Sequence, residues 1–127
     1  MGEFERLLNE GDEAYKKNDF TKAVLCYEDA FKLVTSDNKN RFKSILPMMG
    51  LCYRRIGNSA SVIDLAAEAK KKLGREFITS VFLTNIAAAY ADLREFSKAR
   101  RCVNVAIRLD NGKISGPLQA VIDRLER

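Results

Sequence analysis

Few side chains in this chain could carry covalent or acid–base chemistry. There is no histidine, which removes the usual general base and the commonest metal ligand. Cys26, Cys52 and Cys102 are an odd number of thiols, far apart and without a CxxC pair. They read as reduced, buried cysteines of an intracellular protein, with no metal site. No Ser-His or Cys-His arrangement, phosphate-binding loop or pair of carboxylates stands out, so the expectation is a protein without enzymatic activity or cofactor. Recognition chemistry remains. Arg54 and Arg55 are adjacent guanidinium groups suited to carboxylates. Tyr15 and Met48 would serve as apolar anchors near them. The sequence must therefore supply elements that present these side chains on one face.

At 127 residues the chain is long enough for one domain with its own core, and residues 1–127 are read as a single domain. An apolar fraction of 46% and a charged fraction of 31% are ordinary for a globular protein. Two prolines, seven glycines and many Ala, Leu, Lys, Glu and Arg residues point to an all-α chain. The net charge of +5 gives mild attraction to acidic partners. No run approaches the roughly 18 apolar residues of a membrane span, and no signal peptide opens the chain. "MGEFER" begins like a myristoylation signal, but Arg6 stands where Ser or Thr is required. No membrane insertion and a cytoplasmic location are expected.

Small residues recur at fixed gaps. Gly11, Ala23 and Ala30 are separated by 12 and then 7 residues, and so are Gly50, Val62 and Ala69, and Ala87, Ala99 and Ala106. The sets are offset by 39 and then 37 residues. Asn18, Gly57 and Arg94 fall at one column, where a turn is expected, and Phe20, Ser59 and Phe96 at another. Constant gaps inside each set, with variation only between sets, suit pairs of packed helices. Helical stripes agree: Phe4, Leu7, Leu8, Gly11, Ala14 and Tyr15 form one, and Phe20, Ala23, Val24, Tyr27, Ala30, Phe31 and Val34 the next. Gly11 weakens its helix by roughly 1 kcal/mol relative to alanine. It is explained if another helix crosses there, since small residues let axes approach within about 8–10 Å.

The spacing predicts seven helices, at about 3–17, 20–36, 40–56, 60–73, 76–92, 96–109 and 117–126. Pro47 either starts the third helix or bends it, and a bend within 40–56 is preferred. Ser115 is a candidate N-cap for the last helix, with Pro117 in its first turn. That helix does not continue the spacing. It fits a cap over the last pair, or else the first helix of a truncated fourth repeat.

"GDEAYKKNDFTKAVLCYEDAFKL" and "AAAYADLREFSKARRCVNVAIRLD" resemble the tetratricopeptide repeat, and "GLCYRRIGNSASVIDLAAEAKKKL" resembles it more weakly. The family pattern is Gly or Ala, an aromatic three or four residues on, Ala after twelve and Ala after seven more. The likeness covers about residues 4–110. It implies a right-handed α-solenoid of three antiparallel helix pairs, about 4–37, 40–74 and 77–110, with a capping helix at about 117–126. The family period is 34 residues. The surplus here is read as helices about one turn longer, similar in kind to those of kinesin light chain.

The resemblance also implies a concave groove lined by the first helix of each pair, where a partner's peptide segment lies. Its candidate residues are Leu8, Asp12, Tyr15 and Lys16 in the first repeat, Met48, Leu51, Arg54 and Arg55 in the second, and Asn85, Ala88 and Asp92 in the third. Members that clamp a chaperone's acidic tail use two Lys, two Asn and one Arg at fixed places. Leu8, Asp12, Met48, Val81 and Asn85 stand there instead, and none matches.

The expected function is a non-enzymatic adaptor or scaffold that docks an acidic and apolar segment of another protein. RNA or a nucleoprotein complex is the alternative for a basic helical repeat. The scatter of basic residues over second helices and the lack of aromatic–basic interleaving argue against nucleic acid. A self-associating structural subunit is a further alternative, so a homo-oligomer stays open.

Overall fold

The computed structural model describes residues 2–127. It holds seven α-helices: α1 Glu3–Lys16, α2 Phe20–Lys32, α3 Phe42–Arg55, α4 Ser59–Lys72, α5 Ser80–Asp92, α6 Phe96–Leu109 and α7 Gly116–Leu125. Short 3-10 turns at Lys39–Arg41 and Arg75–Phe77 precede α3 and α5. No strand occurs among the described residues. The chain divides into two compact units, Met1–Asn58 and Ser59–Arg127. The first holds α1 to α3 and the second α4 to α7.

The repeat seen in the sequence is a repeat of backbone geometry. α1, α3 and α5 each end five residues after Gly11, Gly50 and Ala87, respectively. Asn18, Gly57 and Arg94, two residues past those ends, take left-handed φ angles of 61°, 78° and 63°. The next residue's amide then donates back to the last turn. Asp19 reaches the Ala14 carbonyl at 2.9 Å, Asn58 that of Tyr53 at 2.8 Å, and Glu95 that of Tyr90 at 2.8 Å. Each is the six-residue closure that satisfies orphan carbonyls at a helix C-terminus. Asn tolerates the left-handed region and Gly adopts it freely. Arg94 takes it at some strain, held there by the Glu95 bond and by its own amide, which donates to the Ala91 carbonyl at 3.0 Å.

In the first unit α2 packs against both α1 and α3. The Tyr27 ring lies directly over Gly11: a Cβ built on that glycine would sit 2.6 Å from Cε1 of the ring. The small residue is thus required by a ring on the neighbouring helix. Ala23 and Ala30 are completely buried, as the crossing pattern requires. At the other end Phe42, the first residue of α3, meets Phe31 edge-on at 5.1 Å and Phe4 at 6.1 Å. The Tyr53 hydroxyl donates to Glu28, tying α3 to α2.

In the second unit α5 packs against α4, α6 and α7. Neighbours on three sides explain its composition: Ala87, Ala88, Ala89 and Ala91 are all buried. A side chain larger than a methyl group at these points would hold the neighbouring helices apart. Ala69, Ala99 and Ala106 are completely buried as well. α7 is seated through Leu118 and Val121, and it also packs on α6. Ser115 accepts from the Leu118 amide at 3.3 Å, so it is the N-cap expected from the sequence.

The expected helix boundaries hold within a residue or two, except at the connections. α2 stops at Lys32 rather than running to 36, and α5 starts at Ser80 rather than 76. Asn38 and Thr35 explain the first difference. The Asn38 side chain accepts from the Thr35 amide at 2.7 Å, a local bond that competes with helical ones. Thr79 explains the second, since its hydroxyl accepts from the Phe82 amide and caps α5. The expectation of longer helices is corrected accordingly. Each of α1 to α6 has 13 or 14 residues, and the surplus over the usual period forms connections containing the 3-10 turns. α3 runs through Pro47, which supplies no amide hydrogen at an interior position.

Candidate functional site

The last turn of α1, the start of α2 and the end of α3 bring three side chains together. The tight turn at Asn18 sets Tyr15 and Phe20 close, their rings edge-on with centroids 5.9 Å apart and planes at 80°. Arg55, the last residue of α3, holds its guanidinium 5.6 Å from the Phe20 ring centroid. Tyr15 and Phe20 are half-buried and Arg55 is exposed. A guanidinium beside an aromatic face is held in orientation while its edge keeps donors for a planar acceptor such as a carboxylate. Burial raises the Tyr15 phenol, the Cys52 thiol nearby adds to the rise, and the positive charge of Arg55 opposes it. Tyr15 therefore stays a neutral hydroxyl at physiological pH, able to donate. Met48, Leu51 and Arg55 fall at i, i+3 and i+7, one stripe of α3, and Met48 and Leu51 are half-buried.

The other residues expected at a groove are distributed as follows. Lys16 is exposed and Arg54 half-buried in the first unit. Leu8 has no accessible surface and belongs to the core. Asp12 accepts a 2.6 Å hydrogen bond from the Tyr27 hydroxyl, so its carboxylate satisfies a buried tyrosine. In the second unit Ala88 is buried in the core, and Asn85 is half-buried with its amide donating to the Val81 carbonyl at 3.4 Å. Asp92 accepts from the Ser59 hydroxyl and from Arg124, both at 2.6 Å. It ties α5 to the start of α4 and to α7.

Phe20, Tyr27, Ser59 and Arg124 were absent from the candidate residues. Phe20 had a signal in its recurrence at the column of Phe96. The second unit repeats the pairing there, with the Arg94 guanidinium 5.7 Å from the Phe96 centroid.

The three cysteines are free, Cys26 and Cys52 buried and Cys102 only partly so, which corrects the expectation that all three are buried. Burial pushes the Cys52 thiol up to about 11, from an ordinary value of 9.0. The native state therefore keeps a proton that the unfolded chain releases first. Stability from this thiol is complete below pH 9 and declines as pH rises toward 11. Two pH units correspond to about 3 kcal/mol at full effect. Urea unfolding from pH 8 to 11 should show this decline, and Cys52→Ala should flatten it. An equal decline in the variant would assign the effect to other groups, Tyr27 first, since burial and its bond to Asp12 raise that phenol too.

Among the described residues no helix is long and apolar enough to cross a membrane. No group of three or more His, Cys, Asp or Glu residues is arranged to hold a metal ion among them. The chain matches no protein-family model and no curated protein.

Proposed function

We propose that the chain is a tetratricopeptide-like adaptor: three antiparallel helix pairs in a right-handed solenoid, capped by α7, that hold a peptide segment of another cytoplasmic protein. The observation that carries this reading is the turn geometry repeated at Asn18, Gly57 and Arg94, each closed by the same six-residue hydrogen bond. Equal turns between helices of equal length are what a stacked repeat requires. Within the first unit, the cluster of Tyr15, Phe20 and Arg55 gives the peptide side a chemistry. Its guanidinium would take a carboxylate, and the half-exposed rings, with Met48 and Leu51 on α3, would take apolar side chains. The partner segment is therefore acidic and apolar, and the protein's role is docking rather than catalysis.

Selection of a displayed peptide library on the purified protein tests this. Enriched peptides should pair an Asp or Glu with neighbouring apolar residues. Arg55→Glu and Tyr15→Ala should each weaken the selected peptide by about 1–3 kcal/mol, measured by calorimetry. Lys70→Glu and Lys71→Glu, exposed on α4, should do little. If the lysine changes weaken binding and the Arg55 and Tyr15 changes do not, the site lies elsewhere. If no peptide is enriched and RNA binds with a steep salt dependence, the nucleic-acid reading replaces this one.

A further inference from the structure

α6 and α7 leave an open groove between them, with a volume of about 250 Å³. Its floor is aliphatic. Val103 and Ile107 lie one turn apart on α6, and Ile122 and Leu125 face them from α7. Val103 is buried, but the other three are only half-buried although each borders a packed helix pair. Arg100 stands at the rim, its guanidinium donating to the Leu125 carbonyl at 3.3 Å, and Glu126 also borders the groove.

Size and charge narrow what could fill this groove. Pockets for small molecules run to about 300–1,000 Å³ and enclose most of the ligand. This one is smaller and open along its length, which suits one or two side chains projecting from a larger body. The backbone on both walls is helical and bonded within itself, so no strand edge is offered. What can engage it is another set of side-chain ridges, as when a helix lies in a groove. α6 carries Lys98, Arg100, Arg101 and Arg108 and no acidic residue in its 14 positions. All four are exposed. Lys98 is paired with Glu95 at 3.1 Å and Arg124 of α7 with Asp92 at 2.6 Å. With Glu126 at the border as well, the basic excess beside the groove rests on Arg100, Arg101 and Arg108 of α6.

We propose that the α6–α7 groove is a docking site for an acidic amphipathic helix of a partner protein. Its apolar residues, at i, i+3, i+4 and i+7, would fill the space over Ile107, Ile122 and Leu125. Its Glu or Asp residues would flank that stripe and face the guanidinium groups of α6. The surface is distinct from the cluster of Tyr15, Phe20 and Arg55, and the proposal does not depend on the peptide-binding reading given above.

The test uses the full chain and three synthetic peptides. One is a helix with leucine at i, i+3, i+4 and i+7 flanked by glutamates. The second replaces the glutamates with lysines. The third keeps the glutamates but breaks the helix with proline. Fluorescence anisotropy at near-physiological salt should show binding of the first, with the other two weaker by about tenfold or more, equivalent to about 1.4 kcal/mol. Methyl resonances of Ile107, Ile122 and Leu125 should shift on addition of the first peptide. Ile107→Glu and Arg100→Glu should each reduce its affinity about tenfold with little change in melting temperature, because both side chains are partly exposed. Should Ile107→Glu unfold, the methyl shifts in the unaltered protein decide alone. Equal binding of the glutamate and lysine helices, or shifts confined to other methyl groups, overturns the proposal. So does a concentration-dependent dimer that Ile107→Glu abolishes, which would make the groove a contact between copies. RNA binding that competes with the glutamate helix at Arg100 would overturn it as well.

Discussion

Phe42→Ala should cost about 3–5 kcal/mol of stability, the range for deleting a fully buried aromatic side chain. Phe42 has no accessible surface. Its ring is the point at which all three helices of the first unit meet: Phe31 of α2 edge-on at 5.1 Å and 80°, and Phe4 of α1 at 6.1 Å and 54°. Each aromatic pair adds about 0.5–1.5 kcal/mol beyond the area it buries. Alanine would remove both pairs and leave a cavity lined by rings, which cannot collapse far. Against a total of about 5–15 kcal/mol for a domain, that loss is a fifth or more. Phe42→Leu keeps most of the volume and should cost less than half as much. Urea unfolding followed by circular dichroism measures both. A cost below about 1 kcal/mol for Phe42→Ala would mean that α3 is not anchored at its first residue.

Phe42 also marks where the sequence stops being readable. The small residues at Gly11, Ala23 and Ala30 and their repeats are anchored by packing at fixed spacing, so they betray the helices they belong to. The closing turns are legible too, because Asn18, Gly57 and Arg94 need only the backbone beside them. Phe42, the first residue of α3, falls between the recurring sets of small residues, where no period constrains it. The same is true of Thr35, Asn38 and Thr79, whose side chains end or start helices through bonds made within three residues. The repeat pattern contains no record of those bonds, and the helix ends there were misplaced by four residues.

The surroundings of the candidate residues were legible in part. Tyr15, Arg54, Arg55, Met48 and Leu51 keep exposed or half-buried surface, as a groove would need of them. Asp12 and Asp92 look equally available in sequence, but distant residues engage them. Tyr27 donates to Asp12 from 15 positions away, and Ser59 and Arg124 reach Asp92 from 33 and 32. Spacing along one helix reveals which face a residue is on. It does not reveal which hydroxyl or guanidinium the neighbouring helix brings to that face.

Tyr27→Ala should cost about 3–5 kcal/mol, and it should reverse the effect of a second substitution at Gly11. The Tyr27 side chain is fully buried, with its hydroxyl on Asp12 at 2.6 Å and its ring on Gly11. Tyr27→Phe separates the two contributions. It removes one hydrogen bond, at about 0.5–1.5 kcal/mol, and leaves a half-exposed Asp12 that water can solvate. The remainder of the alanine cost is the ring. In the unaltered protein Gly11→Ala puts a methyl group 2.6 Å from Cε1 and 2.9 Å from Cδ1 of that ring. A ring with no free surface has nowhere to go, so overpacking of about 1–3 kcal/mol outweighs the gain in helix propensity of about 1 kcal/mol. With Tyr27 already alanine the collision is absent and only the propensity gain remains. Gly11→Ala should then stabilise the protein by up to about 1 kcal/mol in that background. A change of sign between the two backgrounds, read from four denaturation curves, measures the contact directly. If Gly11→Ala stabilises the unaltered protein as well, the ring does not rest on the glycine, and the helix crossing inferred from the spacing of small residues is absent from the first unit.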